Sequence, residues 1–91
     1  MNKVKDIANK KVLCEDLTVG EVKEVMYDPQ KWKITHFEVN LTKDAADVAL
    51  GTRKGGIKNM LSVSAVGEIG KQIILKIKKG QLRIYLTPMP K

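Results

Sequence analysis

Catalysis needs titratable or nucleophilic groups at workable spacing, and this chain offers few. His36 is its one histidine and Cys14 its one cysteine. A metal centre or general base would need ligating or orienting partners, and no second imidazole or thiol exists to supply them. His36 therefore reads as a surface or edge histidine. Cys14 falls inside a strand-like run and reads as a small buried hydrophobe. Asp44 and Asp47 stand three apart, but they lack the third carboxylate and the glycine-bearing loop of a Ca²⁺ site. Arg53-Lys54-Gly55-Gly56 comes nearest to an anion loop, because glycines let backbone N–H groups converge and two cations precede them. The glycine, lysine and hydroxyl order of a P-loop is missing, so the segment reads as a mobile basic loop. The expectation is a protein that is not an enzyme and holds no cofactor and no metal.

Recognition chemistry is better represented than catalysis. Trp32 lies between Lys31 and Lys33 beside a polar hairpin tip. It is either an interface anchor, a role in which tryptophan is enriched, or a plug folded back over the end of the core. The expected protein-binding set is Trp32 and Tyr85 as anchors, with Arg53, Lys54 and Arg83 as steering charges. The net charge of +7 is unevenly placed. Residues 1–51 sum to −1, whereas residues 52–91 carry nine Lys/Arg against Glu68 alone. Such asymmetry hints at an acidic partner. Fifteen of the seventeen cations are lysine, which favours a solvated surface over a phosphate-reading one, since arginine is the better fork. A single-strand binder should also interleave stacking aromatics with its cations, and only Tyr27, Trp32, Phe37 and Tyr85 are present. RNA or ribosome-associated binding through the basic half is the alternative reading.

These residues must be held by strands. The segment 10–15 reads as a first strand. Two further runs, 21–27 and 33–41, flank Asp28-Pro29-Gln30-Lys31-Trp32, where Pro29 sets φ for a turn and Asp28 can bond back to it. The step from Val22 to Val25 breaks period-two order, and a bulge near Lys23 or Glu24 would restore Val25 and Tyr27 to the face of Val22. In the second arm Thr35, Phe37, Val39 and Leu41 share the expected core face. Thr42 as cap, Asp44 in the first turn and Gly51 as stop predict a short helix near 43–50, packed through Ala45, Val48 and Ala49. Segments 59–65, 72–78 and 81–86 alternate as strands, the last two forming a second hairpin. The fold class is thus mostly β: five or six antiparallel strands in a small, partly open barrel with one short helix. Ninety-one residues make a single domain, 1–91, with a core over about 9–86, a lead-in segment at 4–8 and a proline-containing tail at 87–91. The lone cysteine and the lack of an apolar leader suit a soluble cytoplasmic protein.

The order K-K-V-L, then V-G-E-V-K-E-V-M-Y-D-P, then K-I-T-H-F-E-V, then M-L-S-V-S-A-V-G-E-I-G-K-Q-I-I-L-K, resembles the PRC-barrel family over residues 9–78. That family is named for a domain of the photosynthetic reaction centre and also occurs in ribosome-maturation factors. The resemblance is closest to short stand-alone archaeal members. It implies a bent β-barrel serving as an adaptor without catalytic residues. It further implies a role in cell division, with the membrane-bound anchor of the division ring as partner. A homodimer is expected as well, because an open barrel leaves strand edges for symmetric pairing of the hairpins or of 81–86.

Overall fold

The computed structural model describes residues 7–88. Seven strands form one sheet: β1 (Lys11–Cys14), β2 (Leu17–Asp28), β3 (Lys33–Leu41), β4 (Ile57–Ser62), β5 (Val66–Ile69), β6 (Ile73–Leu75) and β7 (Leu86–Pro88). Their spatial order is β5-β6-β1-β2-β3-β4-β7. Helix α1 spans Lys43–Leu50, a single-turn helix α2 spans Leu82–Tyr85, and 3-10 turns occupy Val63–Ala65 and Lys79–Gln81. The fold is mostly β, and the sheet is open, with β5 and β7 as its edges. Both edges are short, and Pro88 brings no N–H to its own, which limits unwanted pairing.

Register explains which residues face in. Across the central strands the rows Val12–Gly20–Leu41–Ile57, Val22–Val39–Asn59–Pro88 and Val25–Phe37–Leu61–Leu86 align as cross-strand partners. Nearly every aliphatic or aromatic side chain in those rows is buried. Each Leu or Phe so placed contributes about 2 kcal/mol of transfer free energy. Alternating with them are Lys11–Glu21–Asn40–Lys58, Glu24–Glu38–Met60–Thr87 and Met26–His36–Ser62 on the outer face. The expected bulge is present: the register shifts between Val22 and Glu24, so Lys23 is the extra residue and Val25 returns to the core. A second shift between Met26 and Tyr27 leaves Thr35 unmatched on β3. Beyond that shift Tyr27 is 55 % exposed and not buried in the core.

Gly20 lies opposite Leu41 of β3, and a Cβ there would collide with the backbone carbonyl of Asn40, so no larger residue fits. Helix α1 begins and ends where its capping residues dictate. Thr42 Oγ1 accepts from the N–H of Ala45 at 3.1 Å and donates to the carbonyl of Thr18 at 2.7 Å. Gly51 closes the helix at φ 73°. The packing stripe is Ala45, Ala46 and Ala49, small residues that let the helix approach closely, while Val48 is turned outward.

Further expectations need correction. Segment 81–86 is not a strand: Leu82, Tyr85 and Leu86 recur at helical spacing, and burial of Leu82 and Leu86 selects the helix over the alternation through Ile84. The second hairpin is absent, because β7 pairs with β4. Segment 72–78 contributes only Ile73–Leu75, and β6 joins β1 in parallel, so the sheet is not wholly antiparallel. Segment 59–65 starts earlier, at Ile57, and leaves the strand at Ser62, whose Oγ caps the following turn by accepting from the Ser64 N–H. The core reaches beyond 9–86, since Ile7 of the supposed lead-in is buried in it and Thr87 and Pro88 belong to β7. The remainder of the lead-in (4–6) and of the tail (89–91) lies outside the described residues.

Candidate functional surfaces

The turn between β2 and β3 is built around Asp28. Its carbonyl accepts from the N–H of Lys31 at 3.2 Å and of Trp32 at 2.7 Å, and its Oδ1 accepts from the N–H of Gln30 at 2.9 Å. This network holds Trp32 at φ 54°, a left-handed conformation that is an outlier for a bulky residue. The side chain it presents is 81 % exposed. Trp32 is therefore not a plug. Its ring stacks on Tyr27, centroids 6.3 Å apart and planes 17° from parallel. Tyr27 pairs across the ribbon with Ile34, itself exposed. Lys31 and Lys33 flank the tryptophan and are exposed too. The tip is a convex aromatic knob with a cation on either side.

A second set of exposed residues lies on α1, which follows β3 directly, and on α2, which packs beside α1. Val48 and Leu50 on α1 and Ile84 on α2, 69 % exposed, leave apolar groups outward. Four of the five expected binding residues gather here: Arg53 and Lys54 after α1, Arg83 and Tyr85 on α2. Trp32 stands apart from them. Tyr85 packs partly buried against the core, which makes Ile84 the better-exposed apolar group of that helix. Arg53 is not a free charge, because its guanidinium bridges Asp47 at 3.1 Å and Asp44 at 3.7 Å. Neither Tyr27 nor Ile84 was legible as an exposed anchor, since each depends on an irregularity: the shift at Thr35 and the single helical turn.

The basic loop loses its resemblance to an anion nest on inspection. The N–H of Gly56 donates to the carbonyl of Leu41 at 3.0 Å, and Arg53 is spent on the two aspartates. A groove of about 320 Å³ opens on the β1–β2–β3 face, lined by Lys11, Glu21, Lys23, Asn40 and Leu41 among others. Lys23 bridges Glu21 there at 3.0 Å. His36 lies half-buried on the outer face, its Nδ1 3.1 Å from Thr35 Oγ1. Cys14 is fully buried, its Sγ donating to the Ile77 carbonyl at 3.2 Å, and burial followed by the Glu15 charge pushes its thiol pKa up. Such a thiol is a packing group. Among the described residues no His, Cys, Asp or Glu grouping is disposed to hold a metal ion, and no helix is long and apolar enough to cross a membrane. When the chain is compared with known proteins, no protein-family model matches it and no curated protein matches it.

Proposed function

We propose that the protein is a non-enzymatic adaptor that joins two partners, one through the β2–β3 tip and one through the α1–α2 surface. The observation that carries this reading is the exposure of large apolar side chains on two separate parts of the fold, Tyr27, Trp32 and Ile34 on the β2–β3 hairpin and Val48, Leu50 and Ile84 on the two helices. Exposed aromatic and branched aliphatic groups in such clusters mark interaction sites. The resemblance to the PRC-barrel family adds direction. It supports a bent, barrel-like sheet, a cytoplasmic setting and a place in an archaeal cell-division assembly, with the membrane anchor of the division ring as partner. The positive excess of residues 52–91 would speed encounter with an acidic partner, with Lys54 and Arg83, in no ion pair among the described residues, as steering charges and Arg53 only after release from its aspartates. Homodimerisation through the hairpin edges belongs to the same proposal, whereas pairing through 81–86 does not, because that segment is helical.

The test is capture of partners from native cell extract with and without nuclease. An adaptor keeps its partner protein after nuclease, and Ile84→Asp, a surface change, releases it. RNA binding, the second reading, rests on the basic half, and it would make capture wholly nuclease-sensitive. Against it stands the placement of the aromatics: the exposed pair, Tyr27 and Trp32, sits together at the tip rather than among the cations of 52–91.

A further inference from the structure

We infer that the Lys31–Trp32–Lys33 tip docks on an anionic lipid surface, so that the adaptor sits peripherally on a membrane with its α1–α2 end free for a protein. This rests on the two-surface adaptor reading and assigns one of its surfaces. The tip is convex, and a convex knob is met either by a matching pocket or by a fluid interface that moulds to it. The groove on the β1–β2–β3 face carries Lys11 and Lys23, which would meet Lys31 and Lys33 with like charge, so a second copy does not receive the tip there. Two tips facing each other would also bring Lys31 and Lys33 against their equivalents. A bilayer fits each part. Tryptophan and tyrosine, with an apolar body and a polar edge, favour the headgroup level, as the stacked Trp32 and Tyr27 would. Ile34 adds apolar depth on the same side of the ribbon.

The local charge agrees. Between residues 27 and 37 the cations are Lys31 and Lys33 and the lone acid is Asp28, whose Oδ1 is engaged inside the turn. Lysines near an anionic surface each contribute about 1 kcal/mol, and their long stems lie along the apolar side chains while the ammonium stays wet. The backbone supplies an independent sign. A bulky residue held at positive φ costs free energy, and here that conformation points the most apolar ring of the tip into solvent. Strain spent on exposing a side chain is a signature of use.

Trp32 is the single tryptophan of the chain, so its emission reports the tip without a label. The full chain is titrated with vesicles of phosphatidylcholine alone and of phosphatidylcholine with phosphatidylglycerol, reading both emission and co-sedimentation. The expected result is a blue shift and sedimentation with the anionic vesicles only. The Lys31→Gln/Lys33→Gln variant should bind about 30-fold more weakly, the loss of two lysines at roughly 1 kcal/mol each. Trp32→Gly should sediment less while keeping the far-ultraviolet spectrum of the parent. Absence of both signals with anionic vesicles overturns the inference. So does sedimentation without an emission shift, which would place the lysines of 52–91, not the tip, on the membrane. A blue shift that needs a purified partner protein and ignores vesicles assigns the tip to a protein pocket instead. None of these failures touches nuclease-resistant capture through Ile84, so the adaptor reading stands or falls separately.

Discussion

Replacing Trp32 by glycine separates an exposed knob from a plug by magnitude alone. Three terms enter. Glycine relieves the left-handed strain, worth about 1 kcal/mol in favour of the variant. It forfeits the stack on Tyr27, worth about 1 kcal/mol. It also adds unfolded-state freedom costing roughly 0.5–1 kcal/mol. With 81 % of the side chain already in water, little burial is lost. The net cost is therefore at most about 1 kcal/mol, a fall in Tm of roughly 4–8 °C for a domain of this size. A tryptophan plugging the core would instead cost about 3–5 kcal/mol on truncation. Urea unfolding followed by circular dichroism measures the difference, with an unchanged slope as the sign that the folded state is intact. A loss above about 3 kcal/mol would refute the exposed-knob geometry.

The remaining expectations concern the scaffold. Gly20→Ala drives a Cβ into the Asn40 carbonyl, which cannot rotate away, and should cost about 3 kcal/mol in urea unfolding; a loss under 1 kcal/mol would show that β2 and β3 are not so close there. Asn59 is 3 % exposed in a core row with its Oδ1 unpartnered among the described residues, so Asn59→Val should stabilise by about 1 kcal/mol, and destabilisation would mean that the oxygen is satisfied or the site overfilled. Asp16 accepts from Lys79 Nζ at 2.6 Å, which holds its carboxyl below the usual aspartate range. Its contribution is present above the ordinary carboxylate pKa and lost as pH falls through the lowered folded value; Lys79, raised by the same pair, loses its share only in alkali. An NMR titration of Asp16 should return to the ordinary midpoint in Lys79→Met, and an undisplaced parent midpoint would contradict the pairing.

Local signals carried much of the architecture. The β2–β3 hairpin, the bulge at Lys23, the core face of Phe37, Val39 and Leu41, and the bounds of α1 are each written in residues a few positions apart. What failed depends on distant partners. Leu82–Tyr85 satisfies both a period of two and a helical period, and only burial of Leu82 and Leu86 in a core assembled from β3 and β4 decides between them. The parallel join of β6 to β1 spans some sixty residues and leaves no mark in either segment. Val48 and Ala46 exchange roles because the available gap admits only small side chains. The candidate surfaces were half legible: Trp32 announces itself by type and neighbours, while its stack on Tyr27 required the irregularity at Thr35, and Ile84 was read as a strand residue.

The salt dependence of the complex recovered from native extract bears most directly on the adaptor reading. An interface built on Val48, Leu50 and Ile84 with peripheral charges should lose less than about tenfold in affinity between roughly 50 and 200 mM salt, mostly through slower association. A loss of about 10³-fold or more over that range, the mark of counterion release from nucleic acid, would contradict it.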